Sequence, residues 1–85
     1  MQIAMNQVVR LPVQLGAIVQ TERLRRNLTQ AELAVLVGTQ QKTISAIENG
    51  NAGTRLDTIL AVIGCLDLDL QVIYGRRGPS IQDVF

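Results

Sequence analysis

Residues 28–50 read Leu-Thr-Gln-Ala-Glu-Leu-Ala-Val-Leu-Val-Gly-Thr-Gln-Gln-Lys-Thr-Ile-Ser-Ala-Ile-Glu-Asn-Gly, two short helical patterns on either side of a single glycine. Thr29 offers a hydroxyl as N-cap, and Glu32, three residues on, reaches back to the cap's own backbone N–H. This capping box stands just ahead of apolar Leu33, Ala34, Leu36 and Val37, so a helix starts there. Gly38, lacking a Cβ, takes the left-handed conformation that ends a helix and turns the chain sharply. In the second pattern Ile44 and Ile47 fall three apart and form an inward stripe. The sequence therefore predicts a helix-turn-helix over residues 29–48, with its second helix over 40–48.

The outer face of that second helix carries Gln41, Lys42, Ser45 and Ala46, with Thr43 in its first turn. These are groups suited to base edges in a major groove. A glutamine amide donates and accepts together at adenine, a lysine donates to guanine, and a small alanine admits the backbone or meets a thymine methyl. The same polar face would also suit bare solvent, and Thr43 in a first turn can satisfy a backbone group instead. The two-helix geometry favours DNA, because in helix-turn-helix proteins the second helix enters the groove.

The residues Leu28-Thr29-Gln30-Ala31-Glu32-Leu33-Ala34, Gly38, Thr43-Ile44-Ser45 and Ile47-Glu48-Asn49-Gly50 make the chain resemble the lambda-repressor-like (XRE) helix-turn-helix superfamily. The resemblance implies that Gln30 opens the first motif helix and bonds a DNA phosphate, and that Gln41 meets a base. It also implies that Arg23 and Glu48 form a partly buried ion pair tying the first helix of the domain to the recognition helix. Gln40 departs from the pattern, since the superfamily usually caps this helix with serine or threonine. Glutamine caps poorly, so Thr39 is the alternative cap and the first contacts carry a one-residue ambiguity.

Eighty-five residues make one domain, small enough that oligomerisation is an expected supplement to its core. The chain is 47% hydrophobic, which argues against disorder, and its apolar runs are too short for a membrane span, so a cytoplasmic protein with no membrane association is expected. With no histidine and one cysteine, it offers no His-based triad, cysteine-rich metal site or P-loop, so neither an enzyme nor a cofactor is expected. Cys65 lies in an apolar phase of a helical pattern and is expected to be a buried packing residue.

The net charge of +1 is low for a protein that would bind phosphates. Its distribution is more informative: residues 10–55 carry three more cations than anions, and residues from 56 onward two more anions than cations. The motif half is the basic half. Arg26, Thr54 and Arg55 flank the motif and are candidate backbone contacts, although Arg25 and Arg26 would also suit the negative end of the helix they close. One weakly basic copy would bind weakly, so two motifs on one duplex are expected.

After the loop at 51–54, a helix is expected from about Leu56 to Leu66, packed through Leu56, Ile59, Ile63 and Leu66. Then the period changes. Leu68, Leu70, Val72 and Tyr74 alternate with Asp69, Gln71 and Ile73, a strand pattern closed by Gly75. A lone strand cannot satisfy its backbone. The N-terminal arm offers only weak alternation, so the same strand of a second copy, antiparallel across a two-fold axis, is the better partner.

One helix followed by a strand and a short tail is similar to the HipB group of antitoxins, over about residues 12–74. The likeness is carried by Arg55-Leu56-Asp57-Thr58-Ile59-Leu60, by Leu68-Asp69-Leu70, and by the first helix from Pro12 through Leu15, Val19 and Arg23. It implies a homodimer that binds double-stranded operator DNA near its own promoter, represses it, and holds a HipA-like kinase toxin inactive. In some proteins of that group a C-terminal aromatic enters the toxin. Val84 and Phe85, the latter the chain's one phenylalanine, are candidates for such a contact by folding on binding.

The expected fold is mainly helical: a four-helix, lambda-repressor-like helix-turn-helix domain with a C-terminal strand that pairs across a homodimer. Its parts are an N-terminal arm (1–11, with a possible weak strand), the DNA-binding domain (12–66), a dimerisation strand (67–74) and a flexible tail (75–85). The expected function is sequence-specific repression of transcription within a toxin-antitoxin operon. Two alternatives stay open: a stand-alone phage-like or metabolic repressor without a toxin, and a protein-interaction subunit that has lost DNA binding.

Overall fold

Helix ends set this architecture. The computed structural model describes residues 6–75, which form α1 (Pro12–Arg25), α2 (Gln30–Val37), α3 (Gln41–Glu48) and α4 (Leu56–Cys65). Just past each lies a residue in the left-handed region: Asn27 (φ 57°), Gly38 (φ 86°), Gly50 (φ 79°) and Asp67 (φ 57°). This reversal lets the following N–H fold back onto the last turn. Leu28 N–H donates to the Arg23 carbonyl (3.1 Å), Thr39 to Ala34 (2.9 Å), Asn51 to Ala46 (2.9 Å) and Leu68 to Ile63 (3.0 Å). Carbonyls that the helix leaves unpaired are thereby satisfied, and Leu28 and Leu68 are laid against the core. Asparagine and aspartate serve at two of these stops because a short polar side chain tolerates the left-handed backbone.

The helix starts are more varied. Thr29 Oγ1 accepts from the Glu32 N–H (3.0 Å) and Glu32 Oε1 accepts from the Thr29 N–H (2.8 Å), so the capping box is closed on both sides. At α1, Pro12 occupies the first helical position, where its fixed φ fits and its missing N–H costs nothing. Gln14 Oε1 accepts from the backbone N–H of Arg10 (2.6 Å) and of Leu11 (3.0 Å). Gln40 holds the N-cap position of α3 with extended dihedrals and makes no side-chain cap bond, which resolves the one-residue ambiguity between it and Thr39.

Val19, Leu33, Ala34, Ile44, Ile47, Val62, Ile63 and Leu66 form the core, with Leu15, Leu28, Val37, Ile59 and Leu68 packed around it. Helix α3 lies against both α1 and α2, and α2 also meets α4. The closest approach is at Gly16 on α1, where a Cβ would press on the Ile47 carbonyl and stand 2.6 Å from that of Glu48. Gly50 is tied to its place twice over, by its positive φ and by Val13, whose Cα would lie 2.7 Å from an added Cβ. The recognition-helix position is thus set by backbone contact with α1 as well as by Ile44 and Ile47.

Several expectations are corrected here. Among the described residues no strand forms: residues 69–75 carry no regular structure, and neither do 6–10 of the arm. A strand is defined by hydrogen bonds to a neighbour, and among the described residues the segment at 67–74 has no strand to pair with. Leu68, expected to serve dimerisation, packs onto its own core as the last residue of the α4 stop. Leu70, Val72 and Tyr74 are exposed. Helix α4 packs through Ile59, Ile63 and Leu66 as expected, with Val62 buried beside them, while Leu56 at its N-terminal end stays exposed. Cys65 falls away from that face and lies on the surface, its Sγ 3.7 Å from the Leu36 carbonyl, rather than packed inside. Val84 and Phe85 lie outside the described residues.

Candidate nucleic-acid interface

The residues at the start of α3 are held outward by the pair that anchors its end. Glu48 closes α3 and is buried, as is Arg23 of α1. The two meet side on: Arg23 Nε donates to Glu48 Oε2 (2.6 Å) and Nη2 to Oε1 (3.0 Å), while Nη1 donates to the Leu28 carbonyl (2.8 Å). Hydrogen bonding to Glu48 raises the Arg23 pKa above its already high ordinary value, against the opposing effect of burial, so this guanidinium stays charged. One ion pair therefore fixes α1, the turn before α2 and the end of α3 relative to one another.

Gln30, at the first position of α2, stands next to this pair. Its Nε2 donates to Glu48 Oε1 (3.1 Å), and its Oε1 accepts from Gln41 Nε2 at 3.5 Å. The two glutamines singled out in the sequence are thus neighbours, at the first positions of α2 and α3. Gln40, Gln41 and Lys42 are exposed, and Thr43, Ser45 and Ala46 half-buried. Ser45 Oγ accepts from Asn49 Nδ2 at 3.4 Å, one turn on.

Alongside α3 runs an open depression lined by Thr39, Lys42, Thr43 and Ala46 on one side and by Asn51, Gly53, Thr54, Arg55 and Thr58 on the other. It brings the loop residues Thr54 and Arg55 to the outer face of the second motif helix. Asn51 shapes the loop, its Oδ1 accepting from the Gly53 N–H (2.8 Å). Arg55 is fully exposed and donates to both carboxylate oxygens of Asp57 (3.1 and 3.0 Å). These bonds raise the Arg55 pKa and lower that of Asp57, so both stay charged near neutrality. Thr39 and Thr58 also line this surface. Only the fold brings Thr58 there, one turn beyond Thr54; for Thr39, its polarity beside the motif was the available signal.

Arg26 lies elsewhere. Its Nη2 donates to the Leu66 carbonyl (3.0 Å) and its Nη1 pairs with Asp67 (3.2 Å), fastening the end of α1 to the end of α4. Glu22, buried on α1, pairs with Arg25 at 2.5 Å and lies 3.9 Å from Arg26 Nε. These contacts give Arg26 a structural place away from the depression. Among the described residues no cluster of metal-binding side chains occurs, and no helix is long and apolar enough to cross a membrane.

A helix that ends on a buried ion pair, begins with bare polar side chains and follows a short capped helix across a left-handed glycine defines a helix-turn-helix protein of the DNA-binding kind. The chain belongs to that family: the helix-turn-helix family model HTH_3 matches residues 19–73. Within it, the chain is homologous to Antitoxin HipB of Escherichia coli strain K12, with 36% identity over 59 residues, which is 69% of this chain and 67% of that protein. Against Antitoxin HipB of E. coli O6:H1 the identity is the same and the match spans 63% of that protein. Among solved structures, the HipA-HipB-O2-O3 complex contains a chain similar at TM-score 0.73 and 32% identity, covering 80% of this chain and 96% of that one. The restriction-modification controller protein C.AhdI from Aeromonas hydrophila is similar at TM-score 0.62 and 28% identity, over 68% of this chain and 84% of that one.

Proposed function

We propose that this protein is a dimeric, sequence-specific repressor of the HipB antitoxin kind, which binds operator DNA near its own promoter and holds a HipA-like kinase toxin inactive. The observation that carries the DNA part is the depression where Lys42, Thr43 and Ala46 of α3 meet Thr54 and Arg55, with the Gln30–Gln41 pair at the start of the same helix, on the half of the chain that is net basic. Helix α3 supplies base readout through Gln41 and Lys42, with Ser45 and Ala46 behind them. Gln30, Gln40, Thr54 and Arg55 hold the phosphates, and they set register rather than sequence. Homology to HipB supports the toxin partnership, and so does the appearance of HipA with HipB in the related complex.

The dimer follows from the segment after α4. Val72 and Tyr74 are 94% and 92% exposed, and Leu70 and Ile73 are bare as well. An alternating apolar segment with an unpaired backbone is a template for another strand. Two copies paired antiparallel across a two-fold axis would satisfy the backbone and cover the side chains. They would also present two α3 helices to successive major grooves, about 34–36 Å apart.

Paired substitutions test the readout. Gln41→Ala lowers discrimination at one base pair by about 1–3 kcal/mol in competition binding across operator variants. Gln30→Ala weakens binding to every sequence, because it removes a phosphate contact. Indifference of both variants would move the protein to the interaction-subunit reading. Co-purification of a kinase encoded beside this gene, with its activity suppressed by the protein, separates the antitoxin from a toxin-free repressor.

A further inference from the structure

Glu48 is usually read as half of a structural ion pair, but its oxygens face two directions. Oε2 accepts a hydrogen bond from Arg23 Nε, and Oε1 accepts from both Arg23 Nη2 and Gln30 Nε2. Both carboxylate oxygens already accept from the Arg23 guanidinium, which only donates, so Glu48 presents an acceptor to Gln30. Gln30 therefore turns one N–H to Glu48 and its carbonyl oxygen to Gln41, which leaves its second N–H for a phosphate. Gln41, the next amide along, can meet that oxygen only with its own NH₂, as it does at 3.5 Å. No buried side-chain nitrogen or oxygen among the described residues lacks a partner, so the inner end of this chain of bonds has no slack.

We infer that buried Glu48 is a positioning residue for specificity: through Gln30 it fixes which end of the Gln41 amide is nitrogen and which is oxygen at the groove. This rests on the DNA-binding reading above. A glutamine free on a helix surface exchanges its oxygen and nitrogen by a half-turn of the amide and presents both orders. Adenine offers N6–H and N7 in opposite order across the major groove depending on which strand carries it. A fixed amide therefore separates A·T from T·A, whereas a free one accepts both. Glu48 has this effect without touching DNA, because the alternating donor and acceptor demands of Glu48, Gln30 and Gln41 leave one arrangement.

The test uses the full-length protein. Wild type selects its preferred duplex from a randomised pool, and Gln41→Ala locates the base pair that Gln41 reads. Affinity is then measured for the A·T and T·A versions of that pair. The obvious variant, Glu48→Gln, can donate as well as accept but strands the Arg23 charge, so it is joined by the double variant Arg23→Leu with Glu48→Met. Replacing a buried ion pair by apolar side chains of similar volume is often neutral or stabilising. The double variant is expected to melt cooperatively near wild type and to retain affinity for its duplex. Its preference for A·T over T·A should fall about tenfold, toward no preference.

In the free protein, NMR should show the Gln30 side-chain NH₂ protected from solvent exchange in wild type and unprotected in the double variant. Selective binding with an unchanged A·T to T·A ratio in a folded double variant would overturn the inference and leave the repressor reading standing. An unprotected Gln30 amide in wild type would overturn it without reference to DNA. Failure of wild type to select any sequence would overturn the repressor reading and the inference with it.

Discussion

The helix-turn-helix and the segment that follows α4 are both plain in the sequence, yet only one of them is complete in a single chain. Residues 29–50 find everything they need nearby: Thr29 and Glu32 cap each other, Gly38 and Gly50 turn the chain, and Glu48 meets Arg23. Residues 69–75 have an equally regular pattern and no strand partner among the described residues. Helical hydrogen bonds close within a segment, whereas a strand's close between segments. A pattern of period two therefore states a need that one chain need not meet. In this molecule the motif closes on itself, and the segment after α4 stays open among the described residues.

The comparison breaks first at Glu48, where the motif's self-sufficiency rests on a buried charge. Glu48→Ala should cost about 3–5 kcal/mol in thermal or urea unfolding, because it leaves the Arg23 guanidinium buried without its counter-ion. A cost below about 1 kcal/mol would mean that the pair is no better than a surface bridge. Next comes Gly16→Ala. Alanine favours a helix, but here its Cβ would push into the carbonyls of Ile47 and Glu48, so the net effect should be a loss of about 1–3 kcal/mol. A stabilised Gly16→Ala variant would show that α1 and α3 are not in backbone contact.

Thr29→Ala removes half of the capping box and should cost about 1 kcal/mol. The smallest effect on the helical domain sharpens the contrast from the other side. Ending the chain after Leu68, and so keeping the α4 stop, should change unfolding of the dilute monomer by less than about 0.5 kcal/mol. The same truncation should abolish the dimer in analytical ultracentrifugation. A truncated chain that stayed dimeric would place the dimer interface elsewhere.

What was legible in the sequence was what is settled locally. The capping box, the Gly38 turn and the inward placement of Ile44 and Ile47 are signals read within a few residues, and the structure has them all. The left-handed stops at Asn27 and Asp67 were not legible, because neither is glycine and only the packing of Leu28 and Leu68 requires them. Helix α4 was foreseen as a helix packed through Ile59, Ile63 and Leu66, but its inclusion of Val62 in place of Leu56 was not. Leu56 and Val62 are equally apolar, and burial of Val62 is decided by where α2 lies. The same holds for Arg26, whose charge suits DNA or a carbonyl alike; that it meets the Leu66 carbonyl follows from tertiary structure. In the candidate site, Lys42 and Thr54 could be named from the sequence, but their meeting across one depression, with Thr58 beside them, belongs to tertiary structure.

The most direct test is fluorescence anisotropy of the protein on the DNA upstream of its own gene, against a scrambled duplex, over a range of salt concentrations. A paired helix-turn-helix predicts selective binding by two chains per palindromic site, with affinity falling steeply as salt rises. Equal affinity for both duplexes would contradict it and leave the motif as a scaffold for protein contacts.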